Sequence, residues 1–442
     1  MMELDNSSIA EVTNCSEVIP EGFKKTLLGL LPKDWNVDCF ADVFELMSTN
    51  SFSRDNLTYE PTSNEIQNIH YGDIHSTFES EILDCSIHKL PFIKDECIKN
   101  QKFNFLKDGD LLITDASEDY EGVGKCIELK NIGSAKIVPG LHTFLARDNS
   151  NKTFNGFRTY IFNNPQVTID LKKIATGISV YSISKKNLEK LLLPIPPKFE
   201  QQRIAKVLST WDQAIDTVKK SIVALKKRNQ GLEKMLLTGE KRLKGFVGIW
   251  ELKSLGDMLF YTPREVDKPK KTFLALGLRS HGKGIFHKPN FDPKAIAMEK
   301  LYEVKENDLV VNITFAWEQA IAIASKNDAG GLVSHRFPTY VFNSKTADQL
   351  YFKFFILQSF FKSRLELISP GGAGRNRVMS KKDFLKLEVR VPIAEEQKAI
   401  GQVLETANLE LNKYERKLKM FQEQKKGLMQ QLLTGKIRVK VD

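Results

Sequence analysis

The chain has 442 residues and a formal net charge of +10, with 65 lysines and arginines against 55 aspartates and glutamates. Its 41% hydrophobic and 27% charged residues are typical of a folded globular protein and exclude a largely disordered one. A chain of this length is expected to form more than one domain. The basic excess suits a polyanionic partner such as nucleic acid, although many proteins without such a partner are equally basic.

The cysteines and the apolar runs indicate the cellular compartment. The five cysteines are an odd number without a C-x-x-C pair, which argues against a disulfide framework or a zinc knuckle and fits a reducing cytoplasm. Residues 1–23 form an acidic tail with no basic residue before Lys24, unlike a secretory signal. No run approaches the roughly 18 apolar residues that span a bilayer. We therefore expect a cytoplasmic protein with no membrane partner.

A long internal repeat organises the chain. The segment 196–208 recurs at 392–404, and the match continues without a gap at a constant offset of 196 residues. Leu-Leu-Thr-Gly at 236–239 recurs at 432–435, and Ser-Lys-Lys at 184–186 recurs at 380–382. An ungapped match of this length indicates an internal duplication.

Each copy of the repeat contains a heptad helix. Apolar residues recur at alternating steps of four and three, which keeps one apolar seam against a partner helix. One polar residue interrupts each seam, Asn229 in the first copy and Lys425 in the second. Each seam could pack on its own domain, but two matched seams in one chain favour packing on each other over roughly 50 Å. The predicted seam residues are Ile204, Leu208, Trp211, Ile215, Val218, Ile222 and Leu225, with Ile400, Leu404, Leu411, Tyr414, Leu418 and Phe421.

The repeat predicts globular regions that alternate with long helices. We expect an acidic tail (1–23), a globular region (24–196), a helix (197–244), a second globular region (245–391) and a second helix (392–442). Both globular regions open with a tryptophan, Trp35 and Trp250, and mix strand-like with helical runs. The predicted fold class is therefore α+β.

A duplicated unit that ends in P-x-x-x-E-Q, a long helix and L-L-T-G resembles the specificity subunits of type I restriction-modification systems over nearly the whole chain. The motif residues here are Glu200 and Gln201, Glu396 and Gln397, and the two Leu-Leu-Thr-Gly segments. The resemblance implies two target-recognition domains, separated by two antiparallel coiled-coil spacer helices with pseudo-twofold symmetry. It also implies three kinds of partner: double-stranded DNA, two methyltransferase (modification) subunits, and restriction/translocase subunits.

Two different domains held apart suit a split, asymmetric DNA target, with one domain for each half-site. Candidate contacts are cationic, amide or aromatic side chains on loops and helix starts, which suit phosphates and base edges. They are His70, Tyr71, Ser179, Tyr181, Lys185 and Lys186 in the first region, and Trp317, His335, Arg336, Arg375, Asn376, Arg377, Lys381 and Lys382 in the second.

Each candidate also has a structural interpretation. The glycine-rich stretch 369–377 could be a flexible solvated turn, and Trp317 could be a core residue. His70 and His75 are five residues apart, a spacing that suits no common helical metal site, so a buried or loop role is favoured for them.

No catalytic centre is expected in this chain. The segments 122–124 and 164–166 are the nearest matches to a methyltransferase cofactor loop and catalytic motif, and neither fits. Asp292, Glu303 and Lys305 could form a nuclease triplet, but such triplets are frequent in so charged a chain. No Walker A loop is present, so we expect no enzyme, no cofactor and no metal. The alternatives are a structural coiled-coil scaffold and an orphan specificity subunit without an active complex.

Overall fold

The computed structural model describes residues 19–78, 80–99, 101–371 and 377–439. The chain divides into two compact units, of which unit 1 consists of Met1–Thr217 and Leu418–Asp442. Unit 2 consists of Val218–Lys417. Each unit therefore combines one globular region with parts of both long helices. No helix in the described ranges is both long enough and apolar enough to cross a membrane.

Short strands and short helices form the globular region of unit 1. Its strands are β1 (Phe23–Thr26), β2 (Gly29–Pro32), β3 (Asn36–Cys39), β4 (Glu45–Met47), β5 (Leu57–Thr58), β6 (Ile66–Ile69), β7 (Ile82–Asp84), β8 (Phe92–Ile93), β9 (Leu111–Thr114), β10 (Ala116–Ser117), β11 (Cys126–Lys130), β12 (Lys136–Pro139), β13 (Thr143–Arg147), β14 (Tyr181–Ser182) and β15 (Leu192–Ile195). Its helices are α1 (Phe40–Val43), α2 (Tyr71–Ser76), α3 (Arg158–Ile161), α4 (Pro165–Lys173) and α5 (Lys185–Glu189), and the long helix α6 (Lys198–Leu237) follows.

The second globular region is also mixed, which confirms the predicted α+β class. Its strands are β16 (Glu251–Ser254), β17 (Leu259–Tyr261), β18 (Glu265–Asp267), β19 (Phe273–Leu278), β20 (Ile285–Phe291), β21 (Lys300–Glu303), β22 (Leu309–Val311), β23 (Ile321–Ile323), β24 (Leu332–Val333), β25 (Thr339–Phe342) and β26 (Glu388–Val391). Its helices are α7 (Leu255–Met258), α8 (Gln349–Phe355), α9 (Ser359–Leu367) and α10 (Lys381–Leu385), and the long helix α11 (Ala394–Leu432) follows.

The sheets of the two globular regions have related arrangements of strands. Unit 1 has the strand orders β4-β13-β9-β11-β7 and β12-β6-β8-β5, and unit 2 has β17-β25-β22-β23 and β18-β21-β24-β19-β20. In both units the strand just before a long helix pairs with the strand just after the opening tryptophan, as β15 with β3 and β26 with β16. This pairing joins the start of each globular region to its end.

One central strand in each unit separates two apolar cores. Side chains alternate between the faces of a strand, so Leu111 belongs to one core of unit 1 and its neighbour Leu112 to another. Leu309 and Val310 are divided in the same way in unit 2. Because both faces of these strands are covered, their sequences are continuous apolar runs.

The long helices pair antiparallel within each unit. In unit 1 the ring of Trp211 on α6 lies 5.5 Å from that of Phe421 on α11. In unit 2 ion pairs flank the seam, with Arg228 2.8 Å from Glu410 and Lys226 2.9 Å from Glu415. Every residue of the predicted seam is buried or half-buried, as mutual packing of the two helices requires.

A buried carboxylate at the start of each long helix binds an arginine that follows the other one. In unit 1, Glu200 accepts hydrogen bonds from Nε and Nη2 of Arg438 (2.7 and 2.8 Å) and from the indole N–H of Trp35 (2.9 Å). In unit 2, Glu396 accepts from Nε and Nη2 of Arg242, both at 2.6 Å. We call each pair a clasp. Bidentate arginine–carboxylate pairs are among the strong hydrogen-bonded contacts of proteins, so each clasp ties the beginning of one helix to the end of the other.

The glutamine beside each carboxylate ties the helix to its globular region. Gln201 accepts a hydrogen bond from the backbone N–H of Phe154 (2.8 Å) and donates to the carbonyl of Lys152 (3.0 Å). Gln397 accepts from the N–H of Asp348 (2.9 Å) and donates to the carbonyl of Thr346 (3.0 Å). The Glu-Gln motif therefore joins three chain segments in each unit.

The glycine of each Leu-Leu-Thr-Gly segment allows close contact with the opening tryptophan. Gly435 has φ +68°, and a Cβ placed on it would lie 2.3 Å from Pro32 and 3.3 Å from Trp35. Gly239 has φ +75°, and its Cβ would lie 3.3 Å from the ring of Trp250. A positive φ beyond a helix end is the conformation that glycine adopts at least cost.

The polar interruptions of the seam are paired differently in the two units. Lys425 is 6% exposed, and its ammonium lies 2.7 Å from Glu81 and 2.5 Å from Asp212. Asn229 occupies the matching position of the first copy and donates to the main-chain carbonyl of Ala407 (3.0 Å). A polar residue in an apolar seam fixes the register of the helices, so the two units hold the same register by different chemistry.

We expect Arg438→Ala to lower the free energy of unfolding by about 3 kcal/mol. This value is the low end for breaking a buried ion pair, because Glu200 is 1% exposed while Arg438 is 40% exposed. Urea unfolding followed by tryptophan fluorescence measures it. Lys436→Ala, an exposed cation two residues away, is the control and should have little effect. Equal stability of the two variants would contradict the role given to the clasp.

We expect Lys425→Ala to destabilise the protein at pH 7 by about 3–5 kcal/mol, because it leaves two carboxylates facing each other without a cation. Lys426→Ala is the exposed control. Thermal unfolding of both variants and the wild type at pH 7 measures the difference. A loss of stability no larger than that of Lys426→Ala would contradict the role given to the Lys425 ammonium.

Candidate nucleic-acid interface

In unit 1, candidate residues meet at the ends of two parallel strands. β6 and β12 pair in parallel, so the loops that follow them leave the same edge of the sheet. Tyr71 follows β6 and His142 follows β12, and their rings are 5.2 Å apart. Asp115 follows β9, and its carboxylate lies 3.1 Å from Nδ1 of His142. Burial raises the pKa of Asp115, while the nearby His142 opposes that shift.

His70 and Tyr71 are neighbours with different surroundings. His70 is 5% exposed, and its Nδ1 accepts a hydrogen bond from the backbone N–H of Gly72 at the start of α2. Burial lowers the pKa of His70, which favours the neutral ring. His70 therefore caps a helix, and Tyr71 is the half-exposed member of the pair.

A second group in unit 1 surrounds an exposed hairpin turn, which an antiparallel bridge between Thr176 and Ser182 closes. β14 pairs with β10, and the turn before β14 exposes 93% of Ile178 and 52% of Val180. Ser179 is exposed between them. Exposed aliphatic side chains at a loop tip are suited to contact with another molecule.

The base of this hairpin carries aromatic and cationic side chains. The ring of Tyr181 lies 5.1 Å from that of Tyr120, and Lys172 lies over the Tyr120 ring at 5.8 Å. Lys185 and Lys186 are exposed in the first turn of α5, which Ser184 caps. These side chains present a mixed polar and aromatic surface beside the hairpin.

The loop between β9 and β11 gives the unit 1 surface an acidic component. It carries Asp115, Glu118, Asp119 and Glu121. Asp119 accepts a hydrogen bond from the N–H of Gly122, and Glu121 forms an ion pair with Lys172. Glu118 is exposed, so its carboxylate is available to a donor group on another molecule.

Unit 2 brings its candidates together at the equivalent place. β19 and β24 pair in parallel, and Ser334, His335 and Arg336 follow β24. His335 and Arg336 are exposed, and the guanidinium of Arg336 donates to the hydroxyl of Thr314 (3.1 Å). Thr314 lies in the loop after β22, which corresponds to the acidic loop of unit 1.

The loop after β22 is held in one conformation. Its 3-10 turn, Ala316–Glu318, ends at Gln319, which has φ +61° and donates to the carbonyl of Ile356 (2.8 Å). This arrangement holds Trp317 half-exposed, with the guanidinium of Arg377 at 5.2 Å from its ring. A cation over a tryptophan face is the favourable geometry of a cation–π contact.

The segment that contains Arg377 continues into α10. The N–H of Met379 donates to the carbonyl of Ile313 (2.9 Å), which fixes the segment against the loop after β22. Lys381 lies 4.6 Å from the Tyr261 ring centroid and donates to its hydroxyl (2.8 Å). Lys382 is exposed. Arg375 and Asn376 lie outside the described residues.

The two surfaces share one backbone arrangement. Tyr181 and Arg377 occupy the same position of the repeat, and each contacts an aromatic residue of the preceding loop. In unit 1 the N–H of Ile183 donates to the carbonyl of Asp115 (2.8 Å), as Met379 does to Ile313 in unit 2. The side chains differ, because the unit 1 loop is acidic and the unit 2 segments are basic.

Comparison with known proteins decides the family. The family model of the type I restriction modification DNA specificity domain matches the chain twice, over residues 32–227 and 249–420. The chain belongs to the type I restriction-modification DNA specificity family. It is a specificity subunit with two recognition domains, and specificity subunits are non-catalytic.

Relatives of this specificity subunit occur in Methanocaldococcus jannaschii. A protein assigned as the MjaX type I restriction enzyme specificity subunit is 28% identical over 95% of this chain and 97% of its own length. The MjaVIII specificity subunit is 26% identical over 61% of this chain and 68% of its own length. The resemblance inferred from the sequence motifs is thereby confirmed.

Two solved structures share the fold of this specificity subunit. The S subunit of a type I system from M. genitalium has a TM-score of 0.54 at 13% identity, covering 92% of this chain and 97% of that one. A chain from a structural study of type I complex assembly and conformational transition has a TM-score of 0.55 at 12% identity, covering 92% and 99%. At such identities the likeness concerns the fold alone.

Several residues of the surface were not predicted. The acidic loop, His142 and Tyr120 in unit 1, and Tyr261 in unit 2, lie beside the predicted residues. A signal for the loop residues was present, because they directly follow the short apolar strands after Asp110 and Asp308. Among the described residues no cluster of three or more histidine, cysteine, aspartate or glutamate side chains could hold a metal ion.

We expect Arg377→Ala and Arg336→Ala each to weaken DNA binding by about 1–3 kcal/mol if the guanidinium contacts a base. If it contacts a phosphate instead, the salt dependence of binding should fall by about one unit of slope. Fluorescence anisotropy of the full chain with a labelled duplex, at a series of salt concentrations, distinguishes these results. Arg390→Ala, an exposed arginine on β26, is the charge-matched control. Losses equal to that of the control would exclude both residues from the interface.

Proposed function

We propose that the two units of this specificity subunit read the two different halves of a split DNA target. The observation that supports the proposal is the shared backbone arrangement with different side chains. Tyr181 and Arg377 occupy the same repeat position and contact equivalent loops, yet one loop carries Glu118 and the other Trp317. Equivalent backbone arrangements that carry different side chains suit equivalent positions on DNA that carry different bases.

The side chains indicate how the halves could differ. Carboxylates such as that of Glu118 accept hydrogen bonds from cytosine N4, whereas arginine donates in bidentate geometry to guanine. Exposed lysines at the starts of α5 and α10 suit phosphates, which position a protein without reading sequence. Unit 1 would therefore rely on acceptors and aromatic contacts, and unit 2 on cationic donors.

The paired long helices would set the gap between the half-sites. α6 has 40 residues and α11 has 39, so each is about 60 Å long at ~1.5 Å per residue. Successive faces of the major groove are roughly 34–36 Å apart. A spacer of this length would leave unread base pairs between two recognised elements.

The proposed partners are methyltransferase and restriction subunits of a type I complex. A duplicated chain offers two equivalent docking positions, which suits two copies of the methyltransferase subunit. Exposed aliphatic side chains precede the opening tryptophan in both units, with Leu27 85% exposed and Val247 and Ile249 95% and 91% exposed. We assign these side chains to partner contacts, because exposed apolar residues recur before the opening tryptophan in both units.

Methylation mapping tests the function. The chain is expressed with its methyltransferase subunit in cells that lack the system, and modified bases are located genome-wide. We expect a two-part motif with a fixed gap and unequal halves, absent without this chain. No motif from an intact complex would instead support the scaffold or orphan alternative, and two equal halves would contradict asymmetric reading.

Matched variants in the two units sharpen the same experiment. Glu118→Gln should change or relax one half of the motif, and Arg377→Ala the other, while the gap stays constant. Arg390→Ala should leave the whole motif unchanged. A variant that alters both halves together would show that the units do not read DNA separately.

A further inference from the structure

Unit 2 has a groove that is separate from the side chains assigned above to DNA and partner contacts. It encloses a cavity of about 410 Å³ between the β19–β20 hairpin and the loops after β22 and β24. Five phenylalanines contribute to its lining: Phe273, Phe286, Phe291, Phe315 and Phe337. A cavity so rich in aromatic rings can hold a flat apolar group by stacking.

A glycine makes room for one of these rings. Gly277 pairs with Phe286 across the hairpin, and a Cβ on Gly277 would lie 2.4 Å from the tip of the Phe286 ring. The ring therefore lies across β19 in space that any other residue would fill. Phe286 is half-buried, so part of its ring remains accessible within the groove.

An irregularity in β20 places a second ring beside the first. The register between β19 and β20 shifts between Phe273 and Ala275, and Asn290 has φ +54° in this bulge. Bulges change the direction in which side chains point. Here Phe291 lies opposite Phe273, with ring centroids 5.6 Å apart.

Two cations lie over these rings. Arg279 is 5.4 Å from the Phe286 ring centroid, and Lys288 is 5.6 Å from that of Phe286 and 5.8 Å from that of Phe291. Both are exposed, and neither has an acidic partner within the part of the chain that the structure describes. The groove thus combines ring faces with two cations that form no ion pair among the described residues, beside the carboxylate of Glu318, which accepts a hydrogen bond from Ser280.

Polar groups complete the lining on the side of the proposed DNA interface. Ser280, Asn312 and Ser334 line the groove, and Asn312 and Ser334 are the first residues after β22 and β24. The Oδ1 of Asn312 accepts a hydrogen bond from the backbone N–H of Thr314 (3.1 Å). This bond fixes the orientation of the Asn312 side-chain amide. Amides and hydroxyls can pair with the edge of a heterocycle.

We propose that this groove holds a nucleobase displaced from the stack of the bound DNA, an inference that rests on the proposed function. Aromatic faces stack on any base, and adjacent cations bind the phosphates beside it. The positive charge favours a polyanion over an apolar peptide segment. The groove also continues directly into the loops that carry Arg336 and Trp317, where the DNA would lie. Unit 2 would then bind a locally distorted duplex more tightly than a regular one.

The test compares two labelled 30-base-pair duplexes, one fully paired and one with a single bulged thymine, by anisotropy with the full chain. Wild type should bind the bulged duplex about 10-fold more tightly, the effect expected for stacking one base. Phe286→Ala and Lys288→Ala should each lower affinity for the bulged duplex more than affinity for the paired duplex, and so reduce this preference. Phe199→Ala, a half-exposed phenylalanine of unit 1, is the control and should retain the preference.

Crosslinking gives a readout that does not depend on variant stability. A bulged 5-iodouracil, irradiated in complex with the wild-type chain, should crosslink to the peptide that contains residues 285–291. Equal affinity for the two duplexes, or crosslinks only outside the groove, would overturn the groove assignment while leaving sequence-specific binding intact. Absence of any DNA binding would overturn the proposed function itself, and the groove assignment with it.

Discussion

The fold depends on a buried carboxylate whose cationic partner lies in the other repeat. Glu200 and Glu396 stand at the starts of the two long helices, and each is bound by an arginine that follows the opposite helix. A buried charge without its partner is strongly destabilising, so neither unit can close without a segment from the other copy. The opening tryptophan, the terminal glycine and the neighbouring glutamine pack around this contact. The recurring sequence motifs are therefore parts of one set of contacts, which is formed once in each unit.

These contacts leave the loop surfaces of the two units free to differ. The clasp residues lie in the repeated segments, whereas the loops after β9 and β22 lie within the divergent globular regions. Those loops begin from central strands that are buried on both faces and separate two cores in each unit. A rigid strand positions the first residues of a loop precisely, whatever the loop sequence is. The same frame can thus carry carboxylates on the loop of unit 1 and, in unit 2, a loop that contacts the guanidinium groups of Arg336 and Arg377.

The sequence predicted the long helices, the internal duplication and the family, because periodicity and spacing are visible along the chain. It did not predict that Arg242 and Arg438 each bind the glutamate of the other copy. A constant offset shows which residues are equivalent, but it does not show which copy each residue contacts. The acidic loop was also missed, although it follows a visible apolar strand. So was the groove of Phe286, which forms where the β19–β20 hairpin meets the loops after β22 and β24. His70 was a candidate contact for which the sequence favoured a buried or loop role, and its burial and helix-capping hydrogen bond agree with that role.

The unequal polar residues of the seam have a consequence for self-recognition. The clasp is chemically the same in both units, so it does not distinguish one repeat from the other. Lys425 does, because the acids that neutralise it, Glu81 and Asp212, belong to the first half of the chain. A second half paired with a copy of itself would bury this lysine opposite Ala407 and Asn408, which carry no charge. The chain thereby favours the association of its two unlike halves over the association of like ones, and an asymmetric protein is the product.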